Sequence, residues 1–229
     1  MNKQASRVKK PEADDRGLEV MSRISQISGA AAMTVESKHI PIKGEILRKL
    51  THIGALSIPV SYYFLGETIA LPLLGLALLA SLTIEMIRFF GTDKIKDTTH
   101  RLVGIMIRPH EKKDFTGATY ILCSSIIAIL IFDKMIAILA IAYIVVGDTA
   151  GAIVGRLWGK IKLRNRTLEG SLSFFLSCCL VALVIPGVPL WIKIIGALTA
   201  AVVEALTFYL DDNLTVPIVA GALMQYLSK

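Results

Sequence analysis

The sequence predicts an all-α, polytopic helical membrane protein with about seven transmembrane helices. Of its 229 residues, 54% are hydrophobic, above the about 45–50% that is typical of soluble domains. The excess lies in long apolar runs, which indicates an integral membrane protein rather than a soluble protein with a large core. The charged residues between the runs lie almost entirely on one side, which is the third observation that supports this fold class.

Seven apolar runs define the predicted transmembrane helices, and the last is the shortest. They span residues 49–65, 69–90, 114–132, 135–155, 170–186, 189–209 and 213–227. On one side the connections are short. On the other side two links, 91–113 and 156–169, are long and charged. We therefore expect function to lie on the side with the long links.

The basic residues predict the orientation. With these spans, all but three of the 25 Lys and Arg residues lie on one side, the exceptions being Lys134, Lys193 and Lys229. Because cytoplasmic loops carry an excess of Lys and Arg, the N-terminus is predicted to be cytoplasmic and the C-terminus external. We expect a plasma (inner) membrane protein with a cytoplasmic active site. Its net charge of +7 suits anionic headgroups or nucleotide phosphates, and no nucleic acid partner is predicted.

Two regions differ in composition. Residues 1–40 are polar and are predicted to form a cytoplasmic tail, whereas residues 41–229 form the membrane-embedded catalytic domain. Within the tail, apolar residues recur at helical intervals, a pattern compatible both with a short interfacial helix and with a weakly ordered segment. These residues are Leu18, Met21, Ile24 and Ile27. The sequence leaves the oligomeric state open.

Acidic residues in or at the ends of the spans all fall on the inner side. Asp148 lies deepest, roughly 10 Å inside the end of its span at a rise of 1.5 Å per residue. A carboxylate within a membrane helix is costly and indicates function, and no basic residue lies within a helical turn of Asp148. The others are Glu85, Glu169, Glu204, Asp211 and Asp212.

Most of these acidic residues also have a purely structural interpretation. Glu85 could pair with Arg88, three residues later on the same helix. Asp212 or Asn213 could only cap the last helix, and Glu204 could hydrogen-bond to a neighbouring helix. Asp148 has the weakest structural interpretation of the set.

A basic loop follows Asp148 and contains Arg156, Lys160, Lys162, Arg164 and Arg166. Carboxylates below a rim of cations supply what phosphoryl transfer needs, namely ligands for a divalent metal and charges that hold phosphates. Upstream basic residues lead into the first and third spans. Arg108 and Arg156 are the preferred phosphate ligands because Arg binds phosphate in a bidentate manner. His52 is equally compatible with a packing residue and with a ligand.

Small residues recur around Asp148. Gly147, Gly151 and Gly155 are spaced by four, which predicts a face for close helix packing. The same absence of side chains leaves room for a metal–phosphate group beside Asp148, so the two interpretations are compatible.

At these residues the chain resembles the CTP-dependent lipid kinases: dolichol kinase, phytol or polyprenol kinase, and the CTP-using diacylglycerol kinase. These are similar in turn to membrane phosphatidate cytidylyltransferases. The block 147–171 is the most specific part of the match. The matching stretches are Glu45-x-x-Arg48-Lys49-x-x-His52, Glu85-x-x-Arg88, Phe115-Thr116-Gly117-Ala118-Thr119-Tyr120, Gly147-Asp148-Thr149-Ala150, Gly155-Arg156-x-x-Gly159-Lys160, Thr167-x-Glu169-Gly170-Ser171, Glu204 and Asp212-Asn213-Leu214-Thr215-x-Pro217.

The resemblance implies a membrane enzyme that transfers the γ-phosphate of CTP to the hydroxyl group of a lipid alcohol, with magnesium, and in which Asp148 is essential. Asp148 would hold magnesium, with Glu169 or Asp212, and Glu204 or Asp148 would take the proton of the hydroxyl. The nucleotide would be held by Lys49, Arg108, Thr116, Gly117, Gly147, Gly155, Arg156, Lys160, Lys162, Arg164, Thr167 and Gly170. The roles of His52, Glu85, Arg88 and Asn213 remain undecided.

Two other functions are compatible with parts of the pattern. A cytidylyltransferase would join CTP to a lipid phosphate with the same kinds of residues. A transporter would place its polar site at the midplane between repeats, whereas the charges here lie toward one face. Polyprenols, phytol-like alcohols and diacylglycerol all present a hydroxyl group beside apolar chains, so the residues do not identify the lipid.

Overall fold

The computed structural model describes residues 51–91, 114–163, 166–207 and 210–229. The predicted tail 1–40 lies outside the described residues, and so do three of the predicted phosphate ligands, Lys49, Arg108 and Arg164.

Within the described ranges the chain forms seven helices and one small sheet, which confirms the predominantly α-helical fold. Each helix coincides with one predicted apolar span. The helices are α1 (Ser57–Leu65), α2 (Glu67–Phe90), α3 (Gly117–Ile131), α4 (Lys134–Trp158), α5 (Leu168–Val184), α6 (Leu190–Leu206) and α7 (Asp212–Leu227). Between α4 and α5, strands β1 (Lys162–Leu163) and β2 (Arg166–Thr167) pair antiparallel. This hairpin was not predicted from the sequence.

The first predicted span is divided. Residues 51–54 are helical, a turn follows at 55–56, and α1 begins at Ser57. Pro59 lies in the first turn of α1, where the N–H group that proline lacks would have no intrahelical partner. At the other end, Gly66 adopts φ 75°, a left-handed conformation that favours glycine, and joins α1 to α2 in one residue.

Helix α4 is the centre of the bundle. It packs against α1, α3, α5, α6 and α7, while α2 packs on α1 and α3. Its side chains from Ile136 to Val145 are buried, and Leu139 and Tyr143 are completely so. The functional residues that follow at the end of α4 are therefore carried by the most enclosed helix.

The outer surface of the bundle is strongly apolar. Each of the seven helices carries large apolar side chains that are more than half exposed, among them Phe64, Leu76, Leu130, Leu180 and Leu206. By length and composition, α2 and α4 could each cross a membrane, although α4 is also mostly buried as the central helix. A crossing by all seven helices, and the orientation of the N-terminus, remain predictions.

Two lysines on the predicted external side are bound to backbone carbonyls at helix ends. The Nζ atom of Lys134 donates to the carbonyl of Tyr63 near the end of α1, at 2.9 Å. The Nζ atom of Lys193 donates to the carbonyl of Ile185, just beyond α5, at 2.8 Å. Cations near helix C-termini satisfy carbonyls that lack an intrahelical donor and complement the helix dipole. These lysines therefore have a structural role.

Candidate active site

Arg166 in β2 binds carboxylates from three different helices. Its Nη1 atom lies 3.0 Å from Oε1 of Glu204 in α6 and 3.5 Å from Oδ1 of Asp148 in α4. Its Nη2 atom donates to Oδ2 of Asp212 in α7. Asp148 and Glu204 are almost completely buried, at 4% and 3% exposure. We call Arg166 and these three carboxylates the Arg166 cluster.

The electrostatics of the cluster fix the charge of Arg166. Burial of the guanidinium lowers its pKa, but the negative charges of Asp212, Glu204 and Asp148, with the hydrogen bond to Asp212, outweigh that effect. The pKa of Arg166 is therefore raised above its ordinary value, and the side chain is a permanent cation. One guanidinium then faces three carboxylates, so acidic groups outnumber it within the cluster.

The start of α7 frees Asp212 to join the cluster. The N-cap of α7 is Asp211, whose Oδ1 accepts from the N–H and side-chain amide of Asn213, at 2.9 and 2.7 Å. The capping role that the sequence allowed for Asp212 or Asn213 thus belongs to Asp211. The chain turns so that Asp212, in the first helical turn, faces Arg166.

Pro217 shapes the same helix. Because proline has no N–H group, the carbonyl four residues earlier, that of Asn213, loses its usual intrahelical donor. The hydroxyl of Ser124 in α3 donates to that carbonyl at 2.7 Å. This bond anchors the beginning of α7, and hence Asp212, to α3.

His52 lies beside the cluster. Its Nε2 atom is 3.6 Å from Oδ2 of Asp148, the carboxylate oxygen that does not face Arg166. The histidine side chain is only 10% exposed. The sequence allowed His52 to be a packing residue or a ligand. Its position in the structure makes it a neighbour of the acidic site.

A cavity of about 180 Å³ opens next to the cluster, where α4 meets the start of α5. Its lining combines charged, hydroxyl and glycine residues. They are Gly151, Ala152, Gly155, Arg166, Thr167, Gly170, Ser171 and Glu204. Thr167 is the N-cap of α5 and its Oγ1 accepts from the N–H of Gly170 at 3.1 Å. Helix N-termini and arginine side chains both favour anions, so the cavity suits a phosphate group.

The glycines of α4 are required for its packing on α5. A Cβ on Gly147 would lie 2.6 Å from the ring of Phe174, and one on Gly155 would lie 2.8 Å from Oγ1 of Thr167. A Cβ on Gly170 would lie 2.9 Å from the carbonyl of Gly151. The close-packing interpretation of the glycine spacing therefore describes their contacts, and Gly151, Gly155 and Gly170 also line the cavity.

Glu85 is a second buried acidic residue, and it binds a different set of residues from those of the Arg166 cluster. Oε2 of Glu85 pairs with Arg88 at 2.7 Å, and Oε1 accepts from the N–H of Thr116 at 2.8 Å and the hydroxyl of Thr119 at 3.3 Å. Arg88 also donates to the carbonyl of Asp114. The pairing of Glu85 with Arg88 that the sequence allowed is present, and it ties α2 to the segment 114–119 that contains Thr116 and Gly117.

Glu169 and the other described cations of the loop lie outside the Arg166 cluster. The carboxylate of Glu169 accepts from the N–H of Ile161, at 3.2 and 3.3 Å, and so closes the loop between α4 and α5. Arg156, Lys160 and Lys162 are exposed around it. The predicted metal ligands are therefore divided: Asp148 and Asp212 share Arg166, whereas the hydrogen bonds of Glu169 go to the backbone.

The donor chemistry of the cluster fits magnesium, which prefers carboxylate oxygens. Across the described ranges, no group of three or more His, Cys, Asp and Glu side chains is arranged to hold a metal ion as it stands. The guanidinium of Arg166 lies at the point where the three carboxylates converge. The fit to a divalent cation is thus one of ligand type only, and the space between the three carboxylates is occupied by a guanidinium.

Arg166 is one of the five cations of the basic loop, and it was not among the predicted site residues. A signal existed: Asp148, Glu204 and Asp212 lie on the predicted inner side, and the sequence places no cation three or four residues away from any of them. Buried carboxylates need a counter-charge, and the basic loop was the nearest source of one.

Comparisons with known proteins give two kinds of relative. CTP-dependent diacylglycerol kinase 1 of Schizosaccharomyces pombe is 29% identical over 205 residues, 80% of this chain and 93% of that protein. The protein of the same name from Saccharomyces cerevisiae is 24% identical over 157 residues, 56% of this chain and 54% of its own. An uncharacterized protein of Rickettsia prowazekii is 25% identical over 181 residues, 75% of this chain and 88% of its own. No family model and no solved structure matches the chain.

Proposed function

We propose, from the premise that this chain is a phosphotransferase of the CTP-dependent lipid kinase family, that it transfers the γ-phosphate of CTP to the hydroxyl group of a membrane lipid alcohol. The observation that carries the proposal is the Arg166 cluster, buried beside a cavity at the start of α5. Phosphoryl transfer depends mainly on positioned phosphates and compensating charge. The names of the relatives favour diacylglycerol as the acceptor, and polyprenols and phytol-like alcohols are the other candidates.

In this proposal the charged groups divide the work. Asp148 and Asp212 would hold magnesium, and bound magnesium would supply positive charge to the phosphates. Glu169 stays a second candidate ligand. Arg156, Lys160 and Lys162 bind the phosphates from the exposed loop, together with Lys49, Arg108 and Arg164, and Thr167 and Gly170 provide the helix N-terminus.

Glu204 is the preferred proton acceptor for the lipid hydroxyl. Its carboxylate faces the cavity, one oxygen bound to Arg166 at 3.0 Å and the other near the hydroxyl of Ser171 at 3.5 Å. A base must come within hydrogen-bond reach of the proton that it accepts. Asp148 is the alternative base, but as a metal ligand its oxygens would already be engaged.

Labelled nucleotides test the activity. Purified protein with magnesium and a panel of diacylglycerol, polyprenol and phytol should move label from the γ-phosphate of CTP to one lipid, and from ATP far less. A cytidylyltransferase would instead move the cytidine moiety to a lipid phosphate, and the relatives do not favour that reaction. Absence of labelled lipid from γ-labelled CTP with every acceptor would overturn the proposal.

The active site is proposed to face the cytoplasm, in a protein that crosses the plasma membrane seven times. The apolar outer surface supports membrane embedding, and the basic loops support the orientation. Reporter fusions at Lys134 and Lys229 should read external, and one at Lys162 internal. An external reading at Lys162 would contradict the orientation, because the basic loop could not reach cytoplasmic nucleotide.

A further inference from the structure

Three carboxylates share one guanidinium in the Arg166 cluster. Asp148, Glu204 and Asp212 come from three separate helices, and all three contact Arg166. Like charges held this close in a buried setting repel one another. His52, 3.6 Å from Asp148, adds a positive charge only when it is protonated. A dication would compensate the three carboxylates more completely than Arg166 does.

The position of Arg166 would also allow its side chain to move away from the three carboxylates. It belongs to a strand of two residues in a hairpin, not to one of the helices. Its side chain is 28% exposed, compared with 6% for the side chain of Asp148 and 3% for that of Glu204. It lines the cavity beside the N-terminus of α5, where phosphate oxygens would offer it bidentate partners.

Resting on the proposed function, we propose that Arg166 holds the place of the divalent cation. In the nucleotide-free protein its guanidinium keeps the three carboxylates together. When the metal nucleotide binds, Arg166 gives up that position and turns to the phosphates in the cavity. Arg166 is thus a positioning residue that prevents the carboxylates from repelling one another and from binding metal without nucleotide.

The test uses metal alone, without nucleotide or lipid. Wild type, Arg166→Gln and Arg166→Lys are purified in detergent, and Tm is measured in magnesium chloride and in sodium chloride of equal ionic strength. Arg166→Gln should have a lower Tm than wild type in sodium chloride. Saturating magnesium should then raise its Tm by about 5 °C or more, because a ligand that binds only the folded state stabilises it. Wild type and Arg166→Lys should respond much less, since both keep the cation.

Arg88→Gln is the matched control. It also removes an arginine from a buried carboxylate, but Glu85 alone does not offer several acidic ligands. Its Tm should fall without any gain in the response to magnesium. A purely structural role for Arg166 would give the same result at both positions.

An Arg166→Gln variant whose Tm responds to magnesium no more than wild type would overturn the proposal, and so would a wild type that responds as strongly as the variant. If Arg166→Gln does not fold, the double variant Arg166→Gln with Glu204→Gln removes one of the repelling charges. The Tm of this double variant must then rise more in magnesium than the Tm of wild type does. A double variant whose Tm shows no such rise, or one that also fails to fold in magnesium, overturns the proposal. Lack of CTP-dependent activity in wild type would overturn the kinase proposal but leave this measurement interpretable.

Discussion

Among the described residues, two buried acid–arginine groups lie near the predicted inner ends of the helices, and they are built differently. Glu85 and Arg88 are one acid and one base on the same helix, 2.7 Å apart. The backbone N–H of Thr116 and the hydroxyl of Thr119 also donate to Glu85. In the Arg166 cluster, one base faces three acids from three helices, beside a cavity.

The difference separates a structural ion pair from a candidate active site. The single charges of Glu85 and Arg88 compensate each other, and the contacts of Glu85 connect two neighbouring segments. At Arg166 three carboxylates share one guanidinium, and an arrangement of this kind costs stability unless further positive charge or a ligand completes it. Four predictions test this comparison, from the largest expected effect to the smallest.

Asp148→Asn should have the largest effect on catalysis. The substitution keeps the shape and removes the charge, so we expect a folded protein with kinase activity reduced at least about 1,000-fold, as when an electrostatic group of a transition state is lost. Activity is measured with γ-labelled CTP on protein checked by size-exclusion chromatography. A variant that keeps most of its activity would remove Asp148 from the mechanism and leave Asp212 and Glu169 as metal candidates.

Arg88→Met should act on stability instead. It leaves Glu85 buried without its cation, which is expected to lower the free energy of unfolding by about 3–5 kcal/mol. The fraction that folds should keep the wild-type KM for CTP. The double variant with Glu85→Gln should recover part of the lost stability, because neither charge remains. A wild-type Tm with a raised KM for CTP would show that this pair belongs to the active site.

Arg156→Ala and Lys160→Ala should weaken nucleotide use. Charge-assisted bonds to phosphate contribute about 1.5–3 kcal/mol each, which corresponds to about ten- to a hundredfold in KM or kcat/KM for CTP. Lys134→Ala, which removes a cation from the predicted external side, is the control and should leave KM for CTP unchanged. If the two loop variants match this control, the loop only directs membrane insertion.

Thr167→Val should have the smallest effect. It removes the oxygen that accepts from the N–H of Gly170 but keeps the volume of the side chain. Loss of an N-cap costs about 0.5–2 kcal/mol, so Tm should fall by several degrees, whereas Thr167→Ser should retain most of the stability. A larger loss of CTP binding than of stability would assign the hydroxyl to the nucleotide.

The helices could be predicted from the sequence because each apolar run is long and bounded by polar links. The run 135–155 became Lys134–Trp158, and the run 170–186 became Leu168–Val184. Boundaries moved where local chemistry outweighed hydropathy: Pro59 lies where the first helix begins again, and Asp211 rather than Asp212 caps the last. The hairpin between α4 and α5 has two-residue strands, too short for any periodicity to reveal.

The site was only partly visible in the sequence. Asp148 stood out because a carboxylate inside an apolar run lacks a local explanation. Its convergence with Glu204 and Asp212 depends on how three helices pack, and spacing along the chain does not encode that. For the same reason Arg166 looked like one of five loop cations, although it alone among the described four contacts three carboxylates.

The distribution of the Arg166 cluster along the chain has a consequence for biosynthesis. Arg166 and Asp212 are separated by 46 positions, and Asp212 belongs to the last helix. At about 5–20 residues per second, translation needs roughly 2–9 seconds to extend from one to the other. Throughout that interval Arg166 exists without Asp212. A nascent chain that stops before α7 would therefore carry an incomplete charged site on its central helix, which quality-control proteases could distinguish from the finished protein.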